Sequence, residues 1–189
     1  YGMRIYWMPS QFYASEPKAT ITLALRNKQS ISDARQQVLF GLNDYLSSLA
    51  LDELSSQASV GGISFSTGED DGLVFSASGF TQRLPTLLKK LVEGYSTFQP
   101  TAQELEQAKS WYLERLEAAE KGKAFEQAIQ PMQMLSQLPY TQRETRRKLV
   151  SAITLKDVVT YRDKLIRNAR PEMLVVGNLS ADSVTQIGR

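Results

Sequence analysis

Four glutamates, Glu114, Glu117, Glu120 and Glu126, crowd one short stretch of the chain. Paired carboxylates on one helix face can do general acid–base work when one is held protonated and the other ionised. The same stretch carries Lys109, Arg115, Lys121 and Lys123, so an exposed ion-pair face is the simpler reading. Arg143, Arg146, Arg147 and Lys148 form the densest basic cluster. It suits a phosphate or an acidic partner, but cations also gather near a helix C-terminus, where the dipole favours them. Both readings stand for these four residues. Glu69-Asp70-Asp71 invites a calcium reading, yet it lacks the D-x-[DN]-x-[DN]-G pattern and a distal Glu, and reads as a solvated hairpin tip. Gly61-Gly62 lacks the spacing of phosphate-binding glycine motifs. It leads into an expected strand, whereas such motifs need a helix N-terminus at that point.

Histidine and cysteine are both absent. That removes the Ser-His-Asp triad, the cysteine nucleophile, thiol redox chemistry and the usual nitrogen/sulfur zinc site. The remaining composition, 189 residues with 42% hydrophobic and 22% charged, is that of one ordinary domain with a proper core. A formal charge of +2 gives no argument for nucleic acid. No apolar run approaches the roughly 20 residues of a membrane helix. Tyr1 to Met8 alternates and lacks the basic start and long apolar core of a signal peptide. The chain opens on Tyr1 and stops at Ile187-Gly188-Arg189 within an expected helix, which reads as a piece of something longer.

The elements that must position these residues can be read from periodicity. Met3 to Met8 and the alternating Lys18 to Arg26 are expected strands. Ser32 is the expected cap of a helix carrying Val38, Leu39, Leu42, Leu46 and Leu49 to about Leu54. Ile63 to Ser66 and Leu73 to Phe80 form an expected hairpin, with Asp71-Gly72 supplying positive φ at its tip. Leu84, Leu87, Leu88, Leu91 and Val92 make one helical stripe. Thr101-Ala102-Gln103-Glu104 is a capping box for a helix with Leu105, Ala108, Trp111, Tyr112, Arg115 and Leu116, broken by Gly122. Phe125 to Leu138 is an expected helix interrupted by Pro131. Thr141 to Glu144 and Thr154 to Asp157 are further cap signals, the second opening a helix to about Arg167. Glu172 to Gly177 is the last strand, and Ser180 starts a terminal helix.

Strands do not alternate regularly with single helices. The order predicts an α+β domain over residues 1–189, with a mainly antiparallel sheet of about five to six strands covered on one face by helices. Trp7, Tyr45, Trp111 and Tyr112 fall on periodic apolar faces, as core or domain-interface residues.

Several segments resemble a known family. They are Phe12 to Ala19, Leu42-Asn43-Asp44-Tyr45-Leu46 through Leu54, Ala58 to Ser66, Gly79 to Pro85, and Arg170-Pro171-Glu172 through Asn178. Together they span nearly the whole chain and resemble the pitrilysin/insulysin family of inverted-motif zinc metallopeptidases. The nearest likeness is to the third, non-catalytic domain of the bacterial pitrilysins. In that family one polypeptide folds into two bowl-shaped halves, each of two homologous α+β domains, enclosing a chamber for peptides and small unfolded proteins. The zinc sits in the first domain on H-x-x-E-H, with a further Glu ligand. The corresponding stretch here reads Asp44-Tyr45-Leu46-Ser47-Ser48, so no catalytic or metal residue carries over.

The resemblance implies a non-catalytic part of the chamber wall in the C-terminal half. Zinc would be bound by another domain, with none in this chain. Its partners would be the other domains of the polypeptide and peptide substrates in the closed chamber, with neither nucleic acid nor membrane, in the bacterial periplasm. Two other readings compete: a catalytically dead homologue acting in assembly, and an independent enzyme built on the Glu114–Glu126 stretch.

Overall fold

A computed structural model describes residues 2–11, 15–28, 30–120 and 141–188. The elements in chain order are β1 Arg4–Pro9, β2 Lys18–Arg26, α1 Ala34–Val60, β3 Ser64–Glu69, β4 Gly72–Phe80, α2 Leu84–Thr97 and α3 Ala102–Glu120. Then come α4 Arg143–Ala152, α5 Leu155–Arg167, β5 Arg170–Gly177 and α6 Ala181–Ile187. The helix expected over Phe125 to Leu138 and the break at Gly122 lie outside the described residues. Contacts divide the chain into two compact units. One comprises Tyr1–Lys28, Ser47–Phe98 and Asp163–Arg189, the other Gln29–Leu46 and Gln99–Arg162.

The first unit is built on a five-stranded sheet in the order β1-β5-β2-β4-β3. β2 pairs antiparallel with β4 and β5, β3 antiparallel with β4, and β1 parallel with β5. This is the mainly antiparallel α+β sheet expected from the element order. The pleat sends alternate residues to opposite faces. One row across the sheet is Ile5, Met173, Leu23, Phe75 and Thr67; the next is Trp7, Val175, Ile21, Ala77 and Phe65. Leu23, Phe75, Ile21, Ala77, Met173 and Val175 are all buried, so this is the core face.

On that face α2 packs over β4 with Leu84, Leu87, Leu88, Leu91 and Tyr95, all buried and spaced at helical repeats. Tyr95 meets Phe75 edge-on, with ring centroids 5.2 Å apart and planes at 85°. Val92, expected within the stripe, is only half-buried, because Tyr95 takes the next core position.

Helix α1 runs six residues past the expected stop near Leu54, to Val60. Its end is set by a Schellman motif: Gly62 N–H donates to Ser59 O at 3.0 Å and Ile63 N–H to Ala58 O at 3.0 Å. Gly62 adopts φ +67°, where a side chain would be strained. At the other end Asp33, not Ser32, caps the helix, its Oδ1 accepting from Gln36 N–H at 2.9 Å. Leu49, expected on the buried stripe, is 39% exposed, and the next buried leucine is Leu51.

The second unit is helical. Val38, Leu39, Leu42 and Leu46 of α1 are buried in it, as are Leu105, Ala108, Tyr112 and Leu116 of α3. α1 and α3 approach closely at Gly41, where a methyl group would run into the Tyr112 ring. Tyr161 donates its hydroxyl proton to the carbonyl of Ser30 at 2.7 Å, tying α5 to the segment before α1. Arg35 and Asp157 make an ion pair at 2.9 Å.

Candidate functional site

The face of the sheet opposite its core carries a different chemistry in each half. Its rows, read from β1 to β3, are Arg4, Glu172, Ala24, Val74, Gly68; then Tyr6, Leu174, Thr22, Ser76, Ser66; then Met8, Val176, Thr20, Ser78, Ser64. Beyond the Arg4–Glu172 pair the β1–β5 half is apolar: Tyr6 is 48%, Met8 60%, Leu174 40% and Val176 38% exposed. The β2–β4–β3 half is hydroxyl-bearing, and Thr20 and Ser78 share a hydrogen bond at 3.0 Å. Phe80, which pairs with Lys18, extends the apolar surface along β4. Of the eight large hydrophobic side chains exposed among the described residues, five lie on this face, which makes it the most concentrated apolar surface described.

The charges that border this strip are partnered. Arg26 reaches Asp70 at 2.7 Å and Glu172 at 3.5 Å, and Arg4 reaches Glu172 at 3.3 Å. Arg26 also donates to the Asp70 carbonyl at 2.7 Å. The Arg4 guanidinium is raised above its ordinary value by its hydrogen bond to Tyr6, with the Glu172 charge adding to it. Lys18 pairs with Glu16 at 3.7 Å and lies 6.0 Å from the centroid of the Phe80 ring. Where β1 and β5 end and β2 begins, Met8, Ser10, Glu16, Lys18, Thr20 and Val176 border an open cleft of about 590 Å³.

The residues singled out from sequence are dispersed. Gly61-Gly62 lies at the C-terminus of α1 with its N–H groups bonded back to the helix, the opposite of a phosphate cradle. At the hairpin tip Asp70 is engaged by Arg26, and Asp71 takes the positive φ of 50°. Desolvation pushes the Glu69 carboxyl up, with Asp70 and Asp71 adding to it and backbone N–H groups of Asp71 and Gly72 opposing. Glu114 and Glu117 are exposed on α3. Arg115 stacks 5.3 Å from the Trp111 ring, and Lys109 pairs with Glu106 at 2.9 Å. Lys121, Lys123 and Glu126, with the side chain of Glu120, fall outside the described residues.

The basic cluster departs from its expected place. Helix α4 begins at Arg143, so Arg143, Arg146, Arg147 and Lys148 occupy its first two turns, and its last turn has no basic residue. The dipole therefore does not account for them. Lys148 lies 3.9 Å from Glu144. Burial raises the Tyr112 phenol, and the Arg146 charge and hydrogen bond oppose that shift.

The Asp44 to Ser48 stretch lies within α1. Leu46 and Ser47 are buried at 2% and 0% exposure, and Tyr45 stacks on Trp111 with centroids 4.8 Å apart. One carboxylate, two hydroxyls and packed rings do not fit the donor set that zinc requires. Among the described residues no group of three or more Asp and Glu side chains could hold a metal ion.

The apolar strip escaped motif reading, but a signal for it exists. Met173-Leu174-Val175-Val176 is a continuous apolar run, and Tyr6-Trp7-Met8 is another. A strand apolar on both faces is one built to be covered on both.

Known proteins give the chain its place. The family model for the middle or third domain of peptidase_M16 matches residues 1–148. Protease 3 of Escherichia coli (strain K12) is 56% identical over 188 residues, which are 100% of this chain and 20% of that protein. Protease 3 of Salmonella typhimurium is 54% identical over 187 residues, 99% of this chain and 19% of that protein. The chain thus spans about a fifth of the length of the curated relatives it matches. The crystal structure of pitrilysin superposes with a TM-score of 0.96 at 55% identity, covering 100% of this chain and 20% of that one. A putative M16-like peptidase from Alicyclobacillus acidocaldarius shares the fold, with a TM-score of 0.72 at 13% identity over 98% of this chain and 46% of that one.

Proposed function

The chain belongs to the family of middle, or third, domains of the M16 peptidases, and from that premise we propose that it is the non-catalytic third domain of a pitrilysin-type zinc metalloendopeptidase. The observation that carries this is 56% identity across the whole chain to a segment of Protease 3, in a sequence with no histidine. Residues 1–189 act as one structural part of the larger polypeptide. They form wall rather than catalytic centre, in the C-terminal half of a chamber that admits peptides and small unfolded proteins. The zinc ion and the base that activates water belong to another domain of the same polypeptide, which supplies the Lewis-acid chemistry. The setting is the bacterial periplasm, in keeping with the absence of cysteine, which makes the fold indifferent to an oxidising compartment.

The test compares the parent polypeptide with the purified chain of 189 residues. The parent is expected to cleave an unfolded peptide in a chelator-sensitive manner and to hold zinc by elemental analysis. The shorter chain is expected to do neither. Chelator-sensitive cleavage by the shorter chain alone would overturn the assignment.

A further inference from the structure

We propose that Asp71 is a site of spontaneous rearrangement to isoaspartate, with the Gly72 nitrogen as the attacking group and the Glu69 carboxylate as the base that takes its proton.

The β3–β4 tip forces a labile pair of residues on the chain. Among the described residues Asp71 alone combines a side chain with a positive φ, at +50°, a conformation that aspartate and asparagine tolerate better than other residues with side chains. Gly72 follows at φ +142°, where a Cβ would run into the Leu25 carbonyl oxygen, so the position requires glycine. The result is the one Asp-Gly pair in the sequence. Every other aspartate is followed by a residue whose side chain hinders approach of its nitrogen. Asp44, Asp52, Asp157 and Asp163 also lie within helices, where the next N–H is committed to the carbonyl four residues back.

At Asp71 the surroundings favour the reaction. Its side chain is exposed, and the Glu69 carboxylate accepts from the N–H groups of both Asp71 and Gly72. Glu69 therefore already holds the proton that must leave. Desolvation raises its carboxyl above the ordinary value, which makes the ionised form a stronger base. As Glu69 takes that proton, the Gly72 nitrogen bonds to Cγ of the Asp71 carboxyl in its acid form. The Cγ–OH bond breaks, and the hydroxyl leaves as water with the proton returned by Glu69. Water then opens the cyclic imide. Addition at the main-chain carbonyl gives isoaspartate, and addition at the side-chain carbonyl restores aspartate.

The product carries an extra methylene in the main chain. Asn27 N–H donates to Asp71 O at 2.6 Å and Asp70 N–H to Gly72 O at 3.1 Å, a spacing that the lengthened backbone cannot keep. The Arg26–Asp70 pair lies beside it.

The experiment stores the parent polypeptide, natively folded, in mildly acidic buffer. Alongside it is Glu69→Gln, which keeps an acceptor for the two N–H groups but cannot take a proton. Electron-transfer fragmentation of the tryptic peptides distinguishes isoaspartate from aspartate, and the imide is lighter by one water. Isoaspartate is expected at Asp71 ahead of every other aspartate of this chain, and at least about tenfold more slowly in Glu69→Gln, a modest share of what a positioned base contributes. Circular dichroism checks that the exposed substitution leaves the fold intact. No isoaspartate at Asp71, or equal yields at all aspartates, overturns the proposal, and so does an equal rate in folded Glu69→Gln. Asp71→Asn reads the same attack with ammonia as the leaving group: deamidation at that position is expected, and its absence would show that the Gly72 nitrogen does not reach the side chain, which also overturns the proposal.

Discussion

Tyr45 of α1 and Trp111 of α3 stack with ring centroids 4.8 Å apart and planes inclined at 31°. Tyr45 sits within the stretch Asp44 to Ser48, inside helix α1. There the two helices are joined by ring packing. Arg115 extends the stack over Trp111 at 5.3 Å, and Gly41 admits the neighbouring Tyr112 ring.

Removing either ring tests that joint. Tyr45→Ala and Trp111→Ala are each expected to destabilise by about 2–4 kcal/mol, the range for truncating partly buried aromatics. A double-mutant cycle in urea should give a coupling of about 0.5–1.5 kcal/mol. Additivity within about 0.3 kcal/mol would mean that the rings are neighbours without mutual stabilisation.

Gly41→Ala reverses the usual helix rule. Alanine in a helix interior is ordinarily better than glycine by about 1 kcal/mol. Here the added methyl collides with Tyr112, which is 8% exposed and cannot swing clear without leaving the core. The net effect is expected to be a loss of about 1–3 kcal/mol. Thermal denaturation of the single variant and of Gly41→Ala with Tyr112→Leu checks it: the second change should recover part of the loss.

Two helix caps should titrate in the acid range. Thr101 N–H and hydroxyl both donate to Glu104, at 2.6 and 2.8 Å, and Thr154 does the same to Asp157, at 2.9 and 2.7 Å. These bonds hold both carboxylates below their ordinary values, with Arg35 assisting at Asp157. A depressed pKa means that the ionised form is favoured by folding. Its contribution is therefore complete above the ordinary carboxylate range and is lost as pH falls through the lowered values. Asp157→Asn should weaken the protein at neutral pH, and the difference from the parent sequence should disappear in strong acid. Glu69 carries the opposite sign: its raised carboxyl disfavours the ionised fold, so Glu69→Gln should gain stability at neutral pH and lose that advantage on acidification. Urea midpoints measured across the acid range distinguish the two behaviours.

Arg26 ties the β3–β4 tip to β5 through Asp70 and Glu172. Arg26→Gln is expected to cost about 1 kcal/mol, since exposed pairs are individually weak and here act as a small network. The cost should shrink in about 1 M salt, where screening acts over a few ångströms. A loss unchanged by salt would place the effect in packing of the Arg26 stem instead.

Local chemistry was legible in the residues. The alternation of Lys18 to Arg26, the boxes at Thr101/Glu104 and Thr154/Asp157, the cap at Ser180 and the positive φ at Asp71-Gly72 all stand in the structure. Each depends on groups within one turn of each other, so each is written in a few adjacent residues. The box read at Thr141 and Glu144 did not form: Gln142 is the N-cap and makes no side-chain bond there. A cap contributes only about 1 kcal/mol, and burial of Val150 and Ile153 outweighs it in setting where α4 lies.

What the sequence determined by itself is a set of half-buried elements and a list of excluded chemistries, because periodicity and residue type are properties of short stretches. Only the tertiary structure decided that Arg4 lies beside Glu172, 168 positions away, that β1 runs parallel to β5 at one side of an otherwise antiparallel sheet, and that Leu174 and Val176 face outward while Met173 and Val175 face the core. A continuous apolar run fits either register equally well. The choice is made by burial summed over the partner strands β1 and β2 and over the helices on the core face, contacts that no local stretch contains.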